Sequence, residues 1–138
     1  MNNITFIPLG QTTGRRGLQK GTISVVHNTG VHKAYRVTLN RDMADELVNE
    51  GFVFVRFAIN NLTGQTYFVF TKEYYSGAVH AKLGDKHGFR IQDKTLVCEL
   101  TKRKNLKLNC KSILEITDNL SYKEDVKTYE IKGVINYD

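Results

Sequence analysis

The chain has 138 residues, 41% hydrophobic and 25% charged, a balance that belongs to a globular protein large enough for one ordinary core. No apolar run approaches the ~18 residues of a membrane-spanning helix. The start, MNNITFIPLG, lacks the basic and apolar regions of a signal peptide, so a cytoplasmic protein with no membrane partner is expected. The net charge of +6 is unevenly placed: the first 41 residues hold Arg15, Arg16, Lys20, Lys33, Arg36 and Arg41 and no acid, whereas the remainder balances 14 cations with 14 acids.

Gly10–Gly21, GQTTGRRGLQKG, is the most basic and most glycine-rich stretch. It is not a Walker loop, because Lys20 precedes a glycine and the chain continues into a strand rather than a helix. A dinucleotide fingerprint fails on the same ground. GRRG matches the GXXG of KH domains but has no flanking helices. Residues 1–21 are therefore read as a basic N-terminal strand and loop whose Arg15, Arg16 and Lys20 suit backbone phosphates.

TISVVHN and KAYRVTL alternate as two strands joined through HNTG, with Gly30 available for positive φ. RDMADELVNEG switches to helical spacing, with Met43, Leu47 and Val48 on one face, Asn40 as N-cap and Gly51 as the stop. FVFVRFAI and QTYFVFTK predict a hairpin around NNLTG. GAVHAKLG and GFRIQD predict another around GDKHG, followed by a helix over KTLVCELTKRK. LKLNCKSILEITD and DVKTYEIKG predict a last, long hairpin.

The order of elements thus repeats. Tyr35-Arg36-Val37 matches Phe89-Arg90-Ile91, Asn61-Leu62-Thr63 matches Asn119-Leu120-Ser121, and Thr66-Tyr67 matches Thr128-Tyr129. The expected architecture is mainly β (α+β), a small barrel or interleaved hairpins built from two ββαββ repeats, 22–73 and 77–133, sharing one core as a pseudo-dimer.

Chemistry-bearing clusters are sparse. Cys98 and Cys110 have no CxxC spacing and read as free, mostly buried thiols. His27, His32, His80 and His87 lack ligand spacing, so no metal and no cofactor is expected. No nucleophile–base pair or carboxylate pair converges by spacing, and an enzyme is not expected. EGFVFVRF resembles the RNP1 pattern of RNA-binding sheets but carries Glu50 and Val53 where a cation and a small residue belong, so its aromatics read as core.

VVHNTG, RVTLNRDMADEL, FVFVRF and YFVF, within Ile23–Lys72, resemble the AbrB/MazE-like swapped-hairpin family, with Asn40 standing where that family has proline. The resemblance implies interlaced ββαββ units that bind DNA through basic strand and loop residues, which would place Arg36, Arg41 and Arg90 on the DNA. Charge alone selects Arg15, Arg16, Lys20, Lys33 and the run Lys102, Arg103, Lys104. The expected function is a small regulatory or architectural protein of double-stranded DNA. Two alternatives stand beside it: single-stranded nucleic-acid binding through Tyr74, Tyr75 and Phe52, and a protein-interaction module of a mobile element or phage. Homo-oligomerisation is left open.

Overall fold

The computed structural model describes residues 3–6, 18–85 and 88–138, with backbone alone for 82–85 and 88. In chain order the elements are β1 (Thr22–Asn28), β2 (Ala34–Leu39), α1 (Arg41–Glu50), β3 (Phe54–Ile59), β4 (Thr66–Thr71), β5 (Val79–His80), β6 (Lys82–Asp85), β7 (Gly88–Ile91), α2 (Lys94–Lys104), β8 (Lys111–Ile116) and β9 (Val126–Tyr137). Residues 3–6 carry no strand; the basic loop with Arg15 and Arg16 lies outside the described residues.

Every strand pairing is antiparallel, and the sheet runs β5-β3-β4-β9-β8-β1-β2-β7-β6. Its two ends, β5 and β6, are consecutive in the chain and separated only by Ala81. Ala81 continues the contact by donating its N–H to the Val53 carbonyl at 2.8 Å. The two ends of the sheet therefore meet, and it curls into a nearly closed barrel of eight staves, which leaves little edge exposed. The predicted single strand over 77–84 is broken at Ala81, which is fully buried: one side of the break pairs with β3 and the other with β7.

Strand alternation fills the interior. Ile23, Val25, Val37, Leu39, Val55, Phe68, Phe70, Ile91, Leu114, Ile116, Tyr129 and Ile131 form one cluster drawn from both halves of the chain. Phe70 packs edge-on between Phe68 and Tyr129, at centroid distances of 6.1 and 5.8 Å. Phe52, from the RNP1-like stretch, is 2% exposed. It therefore belongs to the core and offers no face to a base.

The helices join the same core. Met43, Ala44 and Leu47 are the buried face of α1, while Val48, expected there, is 38% exposed; α1 turns Ala44 inward instead. Leu96, Val97 and Leu100 do the same for α2. Both helices start on a capping side chain, Asn40 as expected for α1 and Asp93 for α2. Asn40 Oδ1 accepts from the Met43 N–H, and Asp93 Oδ2 from the Leu96 N–H. Asn40 also donates from Nδ2 to the Thr22 carbonyl, so one buried amide caps α1 and ties it to β1. Asn40→Ala removes the cap and strands a buried carbonyl, an expected loss of about 2 kcal/mol. A fall in the urea midpoint at unchanged slope is the measurement.

Gly51 (φ 79°) stops α1 in the left-handed region, as expected, and Asn105 (φ 54°) does so for α2. A second left-handed residue, Asn109 (φ 62°), follows, so the predicted strand over 106–110 does not form and β8 begins at Lys111.

Candidate nucleic-acid interface

The pleat decides which cations reach the outer wall. On β2, Val37 and Leu39 point into the core, so Arg36 and Thr38 point out. On β7, Ile91 points in and Arg90 points out. Register places Thr38 opposite Arg90 and Val37 opposite Ile91. Arg36 and Arg90 are therefore diagonal outer-face neighbours, about 7–8 Å apart along the sheet. Both are half-buried, and neither forms an ion pair among the described residues.

The row continues across the sheet. Val26 lies opposite both Arg36 and Lys111, and Lys82 lies opposite Arg90 in register.

Lys33 and the 102–104 run meet at one end of this wall. His27 Nδ1 and Thr101 Oγ1 are 2.8 Å apart. The Thr101 hydroxyl donates its proton to the Val97 carbonyl, so the imidazole N–H is the donor to Thr101. The Asn109 N–H bonds the His27 carbonyl at 3.0 Å, and the Thr29 N–H bonds Asn109 Oδ1 at 2.8 Å. These contacts fasten the β1–β2 turn, with exposed His32 and Lys33, beside the end of α2, with Lys102, Arg103 and Lys104. Cations at a helix C-terminus also sit favourably in its dipole. Lys107, just beyond, lies over the Tyr137 ring at 4.4 Å.

Lys20 and Arg41 lie elsewhere. They sit at the start of β1 and of α1, the opposite end of a seven-residue strand about 20 Å long. Arg41 pairs with Asp45 at 3.7 Å and Arg103 with Glu99 at 3.0 Å. Both are exposed i,i+4 pairs of little energetic weight, and both arginines can turn to another anion. The fold thus gathers Lys33, Arg36, Arg90, Lys102, Arg103 and Lys104 along one wall and its end, and leaves Lys20 and Arg41 apart.

The remaining strong electrostatic feature is buried. Lys127 Nζ lies 2.8 Å from Glu46 and 2.7 Å from Glu50, on successive turns of α1, and over the Phe52 ring at 5.3 Å. Burial pushes this ammonium down, but the hydrogen bonds and charges of the two carboxylates outweigh it, and the net shift is upward. Lys127 is a clamp between α1 and β9, not a free phosphate ligand.

Tyr74 and Tyr75 are 64% and 44% exposed, with Arg56 against the Tyr75 ring at 4.6 Å. Cys98 and Cys110 are free and half-buried. Among the described residues no helix is long and apolar enough to cross a membrane. No protein family, curated protein or solved structure matches this chain.

Proposed function

We propose that the protein binds nucleic acid, double-stranded DNA before single strands, through the wall formed by β1, β2 and β7 and the adjoining end of α2. The observation that carries this reading is the outward pair Arg36 and Arg90. Two long donors stand on a regular sheet, uncompensated by acids among the described residues, and next to a cluster of lysines. The wall supplies phosphate contacts, with base readout limited to the few arginines.

The resemblance to AbrB/MazE-like proteins and the duplication of a ββαββ unit are part of the proposal. Their support is the pairing pattern. Exchanging the first five elements with the last five turns β1–β2 into β6–β7 and β3–β4 into β8–β9, and returns β2–β7 and β4–β9 to themselves. The β1–β8 pairing becomes the contact of β3 with the β5–β6 run. Val37 opposite Ile91 agrees with the sequence match. The match of Tyr67 with Tyr129 needs a one-residue shift: Tyr129 is buried and Tyr67 is not, and Phe68 is the residue opposite Tyr129. The turns shift likewise, because Asn60 and Asn119 each accept from the amide two residues on.

A gel-shift series with duplex and single-stranded oligonucleotides at two salt concentrations tests the function. Expected is duplex binding that weakens steeply with salt. Preference for the single strand would favour Tyr74 and Tyr75 as stacking platforms instead. Binding of neither at low salt would overturn the reading and leave the protein-interaction module.

A further inference from the structure

The stretch KEYYSG sets two adjacent tyrosines between β4 and β5. Gly77 takes a left-handed φ of 83°, and the Ala78 N–H donates to the Tyr75 carbonyl at 3.0 Å, so the chain turns just after the pair. The turn lays both rings against the outside of β3. Val55 is buried in the core, so its neighbours Phe54 and Arg56 point outward. Tyr74 meets the Phe54 ring edge to face at 5.8 Å, and His80 meets it at 5.5 Å. The Arg56 guanidinium lies over the Tyr75 ring at 4.6 Å.

These groups are not consumed in holding the fold. Tyr74, Tyr75 and His80 remain exposed, and Arg56 forms no ion pair among the described residues. Arg56 takes one face of Tyr75, and among the described residues no second ring or cation lies over it.

The cluster also borders the arginine wall. Phe54 faces His80 in register, the chain runs on through buried Ala81, and the next position, Lys82, stands opposite Arg90. From Phe54 through His80 to Arg90 the path is at most about 17 Å along the sheet, room for about five stacked nucleotides at 3.4 Å each. A duplex hides the faces of its bases, so exposed rings gain little from it, whereas an unpaired strand offers both faces to stack. We propose, resting on the duplex reading of the Arg36–Arg90 wall, that this aromatic face receives the unpaired bases of a single-stranded tail, and that the preferred nucleic acid is a duplex with such an extension. Arg36 and Arg90 hold the duplex phosphates. Tyr74 and Tyr75 stack the unpaired bases, and Arg56, held flat by Tyr75, meets the phosphates of the tail.

The test compares, by fluorescence anisotropy with the full chain, a blunt duplex and the same duplex with a tail of about six nucleotides at its 3′ or its 5′ end. Expected is one tailed form bound about tenfold more tightly than the blunt one. An abasic tail of the same length keeps the phosphates and removes the stacking faces, so it should lose most of that gain. Tyr75→Leu, with Tyr74→Ser as the second variant if the first folds poorly, brings the tailed duplex down to the blunt affinity and leaves blunt binding unchanged. Replacing Arg36 and Arg90 by glutamine weakens blunt and tailed forms alike. Equal binding of blunt and tailed forms overturns the proposal and leaves the duplex reading standing. So does an abasic tail that gains as much as a natural one, or a tail advantage that survives both tyrosine variants. A blunt duplex left unbound at low salt overturns the duplex reading, and this proposal with it.

Discussion

Replacing Arg36 and Arg90 together by glutamine is expected to weaken duplex binding by about tenfold or more at moderate salt, with the fold and the melting temperature retained. Glutamine keeps most of each side-chain stem, so packing along the sheet is disturbed less than by alanine. Each arginine that neutralises a phosphate contributes about 0.9 to the slope of log affinity against log salt. The double variant should therefore lose about 2 from that slope, measured by fluorescence anisotropy over a salt series. Lys20→Ala, at the far end of β1, is the internal control and should leave the slope close to that of the parent. If the arginine pair changes neither affinity nor slope, the wall is not the interface.

The second large effect concerns the clamp at Lys127. Replacing it with methionine leaves Glu46 and Glu50, four residues apart on α1, to repel each other without the cation between them. A fully buried pair broken in this way costs about 3–5 kcal/mol; here the carboxylates are half-exposed, so about 1–3 kcal/mol is expected, read from urea unfolding. The pH dependence has a defined sign. The folded-state pKa of Lys127 is raised, so the contribution is complete below the ordinary lysine value, near 10.4, and disappears as pH rises through the higher folded value. The stability gap between parent and Lys127→Met should hold at neutral pH and narrow in the alkaline range. Lys127→Arg should recover much of it.

Local signals carried most of the elements. Asn40, Gly51 and the apolar spacing between them are sufficient to place α1, and the alternation in TISVVHN delivers β1 residue for residue. What local signals do not carry is which strands meet beyond each hairpin. The turn at GDKHG pairs KLGD with GFRI, but nothing in GFRI says that its other edge meets β2 with Val37 opposite Ile91, because that register is set by packing across the barrel. The candidate interface suffered accordingly. Counting charge treated Lys20, Lys33 and Arg41 as one basic third of the chain, whereas β1 holds Lys33 at the opposite end from the other two.

The interruption at Ala81 has a mechanical consequence. Around the cylinder β1–β2, β1–β8, β3–β4 and β4–β9 are held by pairings five or six residues long, whereas β5 meets β3, and β7 meets β2, over two register pairs each, and β5 is itself a strand of two residues. Such a short seam is an inexpensive place for the barrel to part, since few backbone bonds must open and the β3–β4 hairpin keeps its own pairing. Opening there would lift Val79 and Ala81 from the interior while β1, β8 and β9 stay zipped. The molecule is in this sense a cylinder with a clasp, and the clasp lies close to Arg90, since β5 runs through Ala81 into β6 and β6 pairs with β7.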